Sequence, residues 1–262
     1  MKLSAPIHQL KRHARALKKQ QSITMVQALD AVAQREGFVS WSLLQAKART
    51  LRPERYDAIL DYCNPGDLVL VGGRPMHGKT SFTIGLMAQA ICERNAHCGC
   101  FSLDFIEQEV HATMEAYERG LTQRTERYTL DCSDAISAEH IIAQTRDWID
   151  HGSVLVIDYL QLLDQKRTTP PLQAQVEQLK NYAAERRCTI FCVSQINRSV
   201  ETRPDPRPTA ADVHLPNPLD LKLFNKLFFL YRPVQSATCA EVSLAGREIH
   251  RFTVGWREGR FC

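Results

Sequence analysis

The sequence predicts an α/β domain with a mostly parallel sheet and an antiparallel edge hairpin, preceded by a small three-helix piece. Three observations carry that reading. From about residue 68 onward, short apolar, β-branched runs alternate with helix-forming runs, the pattern of a parallel sheet covered by helices. Residues 73–80 read Gly73-Arg74-Pro75-Met76-His77-Gly78-Lys79-Thr80, a complete G-x-x-x-x-G-K-[ST] loop between a strand and a helix. Charge also changes sign near residue 53. Residues 1–53 hold ten Lys/Arg against Asp30 and Glu36, a net of +8, and the remainder holds 23 basic and 27 acidic residues, a net of −4.

The boundary is placed at Arg52-Pro53, giving a basic helical piece over 1–52 and the α/β domain over 53–262. In the first piece a helix runs from about Ile7 to Gln20 and carries Lys11, Arg12, Arg15, Lys18 and Lys19. Thr24-x-x-Gln27 forms a capping box that opens a second helix, and Gly37 closes it at C′. Ser40 caps a short third helix bearing Trp41, Leu43 and Leu44. A fourth helical stretch, about 54–62, leads into Asn64-Pro65-Gly66.

Strands follow near 68–72, 97–103, 127–131, 153–158, 188–194, 225–231, 239–245 and 249–255, with helices at about 79–93, 106–119, 137–150 and 171–186. The last two strands have no helix between them, which makes them a hairpin. The proline-rich stretch 203–218 is the longest irregular segment, and such loops are usually functional or mobile. Nine scattered cysteines, several inside apolar strands, fit buried reduced thiols in a cytoplasmic setting. His97-Cys98-Gly99-Cys100 lacks a second pair at finger-like spacing, so a metal site there is disfavoured. No apolar run reaches the length of a membrane span.

The loop's chemistry follows from its residue types. Backbone N–H groups of the loop from Gly73 to Gly78, Pro75 excepted, wrap phosphates, and the helix starting at Lys79, Thr80 and Ser81 adds its partial positive charge. Lys79 reaches the β- and γ-phosphates of ATP, and the Thr80 hydroxyl ligates Mg²⁺. The plain alternative is a tight glycine turn. Val154-Leu155-Val156-Ile157-Asp158 is a buried strand delivering a carboxylate to the sheet's carboxyl edge, where Asp158 completes the Mg²⁺ shell. Water activation needs another acid at that edge, and Asp104 is chosen, with Glu107 and Glu109 as understudies. Gln195, ending the strand Cys192-Val193-Ser194, is placed to sense the γ-phosphate. A helix cap or turn remains the plain alternative for both Asp104 and Gln195.

Five segments in order resemble the ATPase domain of DnaB-type replicative helicases: the loop at 72–80, Phe101-Ser102-Leu103-Asp104, Ile157 to Leu163, Ser194 to Glu201, and Leu230-Tyr231-Arg232. The resemblance covers about 60–262 and implies a RecA-like core that assembles into a ring, usually a hexamer, with ATP between subunits. It further implies that the segment after the Ser-Gln strand meets single-stranded DNA, with Arg198, Arg203 and Arg207 contacting phosphates. A neighbour's γ-phosphate would be reached by Arg247. The chain departs from the family in four places. Asp104 stands where members carry Glu, the run from His214 to Phe224 replaces the family's acidic polar string, Arg247 is displaced by one position from the family's Lys-x-Arg pattern, and the basic helical piece replaces the usual N-terminal domain.

These features support an ATP-hydrolysing, DnaB-like helicase or translocase. They leave room for an ATP-switched DNA-binding or helicase-loading factor, and for a degenerate subunit working through a protein partner. The basic piece is read as a contact for DNA, a docking element for a protein, or a solvated helix.

Overall fold

A computed structural model of the chain describes residues 3–262 apart from 6, 49–50, 104–105, 165–168, 216, 234–237, 247 and 258–259; His8 and Asp164 are described by backbone alone. Asp104 and Arg247 therefore lie outside the described residues. The chain divides into two compact units, Met1–Asn64 and Pro65–Cys262, so the helical stretch at 54–62 belongs with the first.

In the first unit, α1 (Ile7–Gln21) buries Leu10, Ala14 and Leu17, which recur at helical spacing along one face. They meet Ala28, Val32 and Ala33 of α2 (Met25–Arg35) and Trp41 and Leu44 of α3 (Trp41–Ala48) in one small core. The capping box at the start of α2 is present. Thr24 Oγ1 accepts from Gln27 N at 3.3 Å while Gln27 Oε1 accepts from Thr24 N at 2.9 Å. At the far end Gly37 takes φ +84°, and Phe38 N and Gly37 N donate to Ala33 O and Gln34 O at 2.9 and 3.0 Å, a Schellman closure. The Asp30 carboxylate accepts from Trp41 N at 2.8 Å and fixes the start of α3. A single helical turn, α4 (Ile59–Tyr62), ends the unit.

The second unit is built on a nine-stranded sheet. In chain order its elements are β1 (Leu68–Gly73), α5 (Lys79–Arg94), β2 (Cys98–Ser102), α6 (Glu107–Tyr117), β3 (Tyr128–Asp131) and α7 (Ala138–Thr145). Then come β4 (Val154–Asp158), α8 (Leu172–Arg186), β5 (Thr189–Gln195), β6 (Lys226–Tyr231), β7 (Cys239–Leu244), β8 (His250–Arg257) and β9 (Arg260–Phe261). The spatial order is β3-β2-β4-β5-β1-β6-β7-β8-β9. The first six positions run parallel, and β7, β8 and β9 are antiparallel additions at one edge.

Continuous burial of β1, β2 and β4 explains their unbroken apolar sequences, because both faces of a parallel sheet are covered. Cys98 and Cys100 belong to this core, and burial pushes the Cys98 thiol up to about 12. Register between β1 and β6 is fixed at their leading ends. Asn225 Oδ1 accepts from Leu68 N at 3.0 Å, and Lys226 pairs with Asp67, both nearly buried. That register sets Gly73 beside Gln195 on one side and Leu230 on the other, at the sheet's carboxyl edge.

Candidate nucleotide-binding site

The carboxyl edge is where a parallel α/β sheet receives ligands, since strands stop there and helices begin with N–H groups outward. The loop leaving β1 turns sharply. Met76 and Gly78 take φ +63° and +85°, and α5 starts at Lys79. Two glycines of the loop sit in close quarters. A Cβ on Gly73 would lie 3.1 Å from Leu230 O and 3.2 Å from Lys79 Cγ, and a Cβ on Gly78 would lie 2.9 Å from the Phe261 ring. The Lys79 ammonium donates to Arg74 O at 3.0 Å, which folds its side chain back across the loop.

Beside this loop lies a cavity of about 390 Å³. Lys79, Thr80 and Ser81 line it from the loop and α5, Asp158 from the end of β4, and Gln195 from the end of β5. Asp158 is 3% exposed, a carboxylate delivered by a buried strand to the cavity wall. The Asp158–Tyr159 peptide is cis. A hydroxyl and a carboxylate on one cavity are hard oxygen donors, the set that suits Mg²⁺. Two sequence strings meet behind the cavity, where Gln161 Nε2 donates to Ser194 Oγ at 3.1 Å and to His214 O at 2.5 Å. His214 N in turn donates to Gln195 O at 2.9 Å.

Known proteins resemble this chain in sequence and in fold. A model of the DnaB-like helicase C-terminal domain matches residues 121–233. A probable plasmid replicative DNA helicase of Chlamydia psittaci is 25% identical over 178 residues, covering 56% of this chain and 39% of that protein. The replicative DNA helicase DnaB of Geobacillus stearothermophilus is 28% identical over 177 residues, with the same coverage of 56% and 39%. The chain thus matches about two fifths of the length of these relatives. Among solved structures, one ATPase domain superposes with a TM-score of 0.59 at 21% identity, covering 76% of this chain and 85% of that one. A DnaB-like replicative helicase, described with its primase interactions, gives 0.64 at 19% identity, covering 96% and 75%. Residues 121–233 thus resemble the DnaB-like helicase C-terminal domain, and the α/β unit shares the fold of these solved ATPase and helicase structures.

Within the α/β unit, the second wall of the cavity holds residues outside those expected of the site. Arg232, just past β6, sits with its guanidinium 6.0 Å from the Trp256 ring centroid, and both line the cavity with Tyr159. Arg232 belongs to one of the resembling strings, which is signal enough to find it; Trp256 has no motif around it. Phe261 of β9 props Trp256 edge-on at 4.7 Å and Phe82 of α5 at 5.5 Å, so the edge hairpin is stapled to the phosphate-loop helix. His77 anchors the loop from the other side, its Nδ1 accepting from Arg232 N at 3.4 Å. Burial, opposed by a hydrogen bond to the Leu230 carbonyl, holds this imidazole below its ordinary value.

The cations expected to meet nucleic acid have varied surroundings. Arg198 is exposed on the turn after β5. Arg203 forks onto Asp212 at 3.0 and 2.9 Å, and Arg207 onto Glu241 at 2.8 and 3.1 Å with a third contact to Asp205. Burial alone would raise the Asp212 carboxyl, but hydrogen bonds from Thr209 and Arg203 hold it below the usual range. In the other unit, Lys11, Arg12, Arg15, Lys18 and Lys19 are all exposed along α1. Of the understudy acids, Glu107 faces His111 at 3.7 Å, and Glu109 accepts from Ile106 N at 3.4 Å.

Proposed function

We propose that this chain binds ATP with Mg²⁺ in the cavity beside the phosphate loop and hydrolyses it as a DnaB-like helicase or translocase on single-stranded DNA. One observation carries the reading: Lys79, Thr80, Asp158 and Gln195, from three separate sequence segments, line one cavity at the sheet's carboxyl edge. The N–H groups of the loop and the start of α5 hold the phosphates. Lys79 exchanges the Arg74 carbonyl for a phosphate oxygen and neutralises charge that grows in the transition state. Thr80 and Asp158 would hold the Mg²⁺, which supplies further charge neutralisation when bound. Asp104 orients the attacking water, Gln195 reads the γ-phosphate, and Trp256 offers its face to the base. Arg247 of a neighbouring subunit completes the site, which makes the working form an oligomeric ring, a hexamer by resemblance.

The readout is steady-state ATPase with and without single-stranded DNA, alongside Asp104→Ala and Asp104→Glu and sedimentation of the oligomer. Turnover stimulated by DNA, abolished in Asp104→Ala and raised in Asp104→Glu, supports the motor. A monomer that never turns over ATP would sink it. A second reading, an ATP-switched DNA-binding or loading factor with little unwinding, is favoured by the carboxylates that occupy Arg203 and Arg207. ATP-dependent DNA binding without stimulated turnover would select it. The exposed cations of α1 supply a contact for DNA or an acidic protein partner in either case.

A further inference from the structure

The strand that ends at Gln195 runs into the turn Arg198–Thr202, and that turn brings Glu201 back to the phosphate loop. Arg74 Nε donates to Glu201 Oε1 at 2.6 Å, and a second guanidinium nitrogen pairs with the same carboxylate oxygen. The Arg74 side chain is 12% exposed and points to Glu201, not into the cavity. Its backbone is engaged on the opposite side. The Arg74 carbonyl accepts from the Lys79 ammonium at 3.0 Å and from His77 N at 3.2 Å. One residue therefore joins the ammonium that meets the nucleotide to the carboxylate that heads the next segment.

That segment is itself closed into a loop. Asn197 N donates to Asp212 O at 2.7 Å, Arg203 forks onto the Asp212 carboxylate, and His214 N returns to Gln195 O. Val200, next to Glu201, is fully buried. A loop tied at its base and packed at Val200 moves as a piece, so a pull on Glu201 is felt along it.

We infer that Glu201 is a positioning residue whose ion pair with Arg74 couples nucleotide binding at Lys79 to the conformation of residues 197–214. The inference rests on the ATP-binding reading above. A phosphate that draws Lys79 away releases the Arg74 carbonyl, and the peptide between Gly73 and Pro75 resets. A guanidinium–carboxylate pair is directional, so the reset passes to Glu201 as displacement and is not absorbed by rotation. Coupling is reciprocal: a polyanion held by Arg198 on the same turn changes nucleotide affinity by the same factor that nucleotide changes its own. The Glu201 side chain is 56% exposed, so its removal leaves the fold standing and isolates the coupling.

The test uses the full chain, with AMP-PNP and Mg²⁺ as the probe. Calorimetry gives nucleotide affinity, and amide hydrogen exchange follows residues 197–214 with and without nucleotide. The wild type should change exchange across that segment on binding. Glu201→Gln should lose the change and bind AMP-PNP roughly fivefold more weakly. The charge-exchanged pair, Arg74→Glu with Glu201→Arg, should restore it. A full nucleotide-dependent change in Glu201→Gln overturns the inference, as does failure of the exchanged pair to restore it. No AMP-PNP binding by the wild type overturns the ATP reading itself and this inference with it, a result distinct from either.

Discussion

The two units carry positive charge in opposite ways. On α1 of the helical unit, Lys11, Arg12, Arg15, Lys18 and Lys19 stand exposed around a stripe of Leu10, Ala14 and Leu17. In the α/β unit three arginines are held by carboxylates: Arg74 by Glu201, Arg203 by Asp212, and Arg207 by Glu241 and Asp205. An exposed cation keeps its hydration and mobility, and its field fades over about 8 Å at physiological salt. It can meet a polyanion anywhere along its helix but positions nothing. A cation forked onto a carboxylate attracts little at a distance and fixes the backbone that carries it. Arginines counted in a sequence are therefore a poor gauge of nucleic-acid contact.

The sharpest way to break this contrast is at the cation proposed to meet the nucleotide. Lys79→Ala removes the ammonium from the phosphate loop and should lower ATP turnover by roughly 10²–10³-fold, the cost of losing one preorganised charge at a reacting centre. Steady-state ATPase checks it; turnover at the wild-type rate would mean that the loop is only a glycine turn. The clamp cations come next. Arg203→Ala strips the nearly buried Asp212 of its charged partner and should cost about 1–2 kcal/mol in urea unfolding, since charge-assisted hydrogen bonds are worth somewhat more than neutral ones. It should leave the salt dependence of DNA binding unchanged. A stable variant with a flatter salt dependence would make Arg203 a phosphate contact after all.

Why some of this was legible in the sequence and some was not is a matter of which forces act locally. The strands 68–73, 98–102 and 154–158 are buried on both faces, so their apolar runs announce them, and Thr24, Gln27 and Gly37 announce the second helix through backbone chemistry within a few residues. The cavity wall formed by Lys79, Thr80, Asp158 and Gln195 was readable because each residue ends or follows such a strand. Trp256 and Phe261 were not, because their role depends on an edge hairpin folding back onto α5, a long-range contact with no spacing rule. The engagement of Arg203 and Arg207 was equally hidden. Asp212 lies nine residues from Arg203 and Glu241 lies 34 from Arg207, beyond any local pattern.

A third experiment moves to the exposed side of the contrast. Replacing Lys11, Arg12, Arg15, Lys18 and Lys19 with Gln should leave unfolding within about 0.5 kcal/mol of wild type, as expected for surface changes. If α1 meets single-stranded DNA, the slope of log affinity against log salt should shrink by up to about 3.5, at roughly 0.7 for each phosphate no longer neutralised. An unchanged slope would turn α1 into a protein-docking or merely solvated helix.

The smallest effect concerns a group that the loop's cations press upon. His77 lies inside the loop, and burial lowers its pKa from the ordinary 6.5, with the hydrogen bond to the Leu230 carbonyl opposing and Lys79 and Arg74 adding to the shift. The unfolded chain binds that proton more readily in acid. The stability His77 contributes is therefore complete above about 6.5 and is lost as pH falls through the lowered value. His77→Gln keeps a polar side chain that does not titrate. Urea midpoints measured at pH 7.5 and pH 5.5 should differ less in the variant than in the wild type. Because the other histidines titrate alike in both proteins, the difference of differences isolates His77. Equal pH dependence in the two would show that the imidazole is not held neutral by its surroundings, and that Lys79 and Arg74 do not press on it.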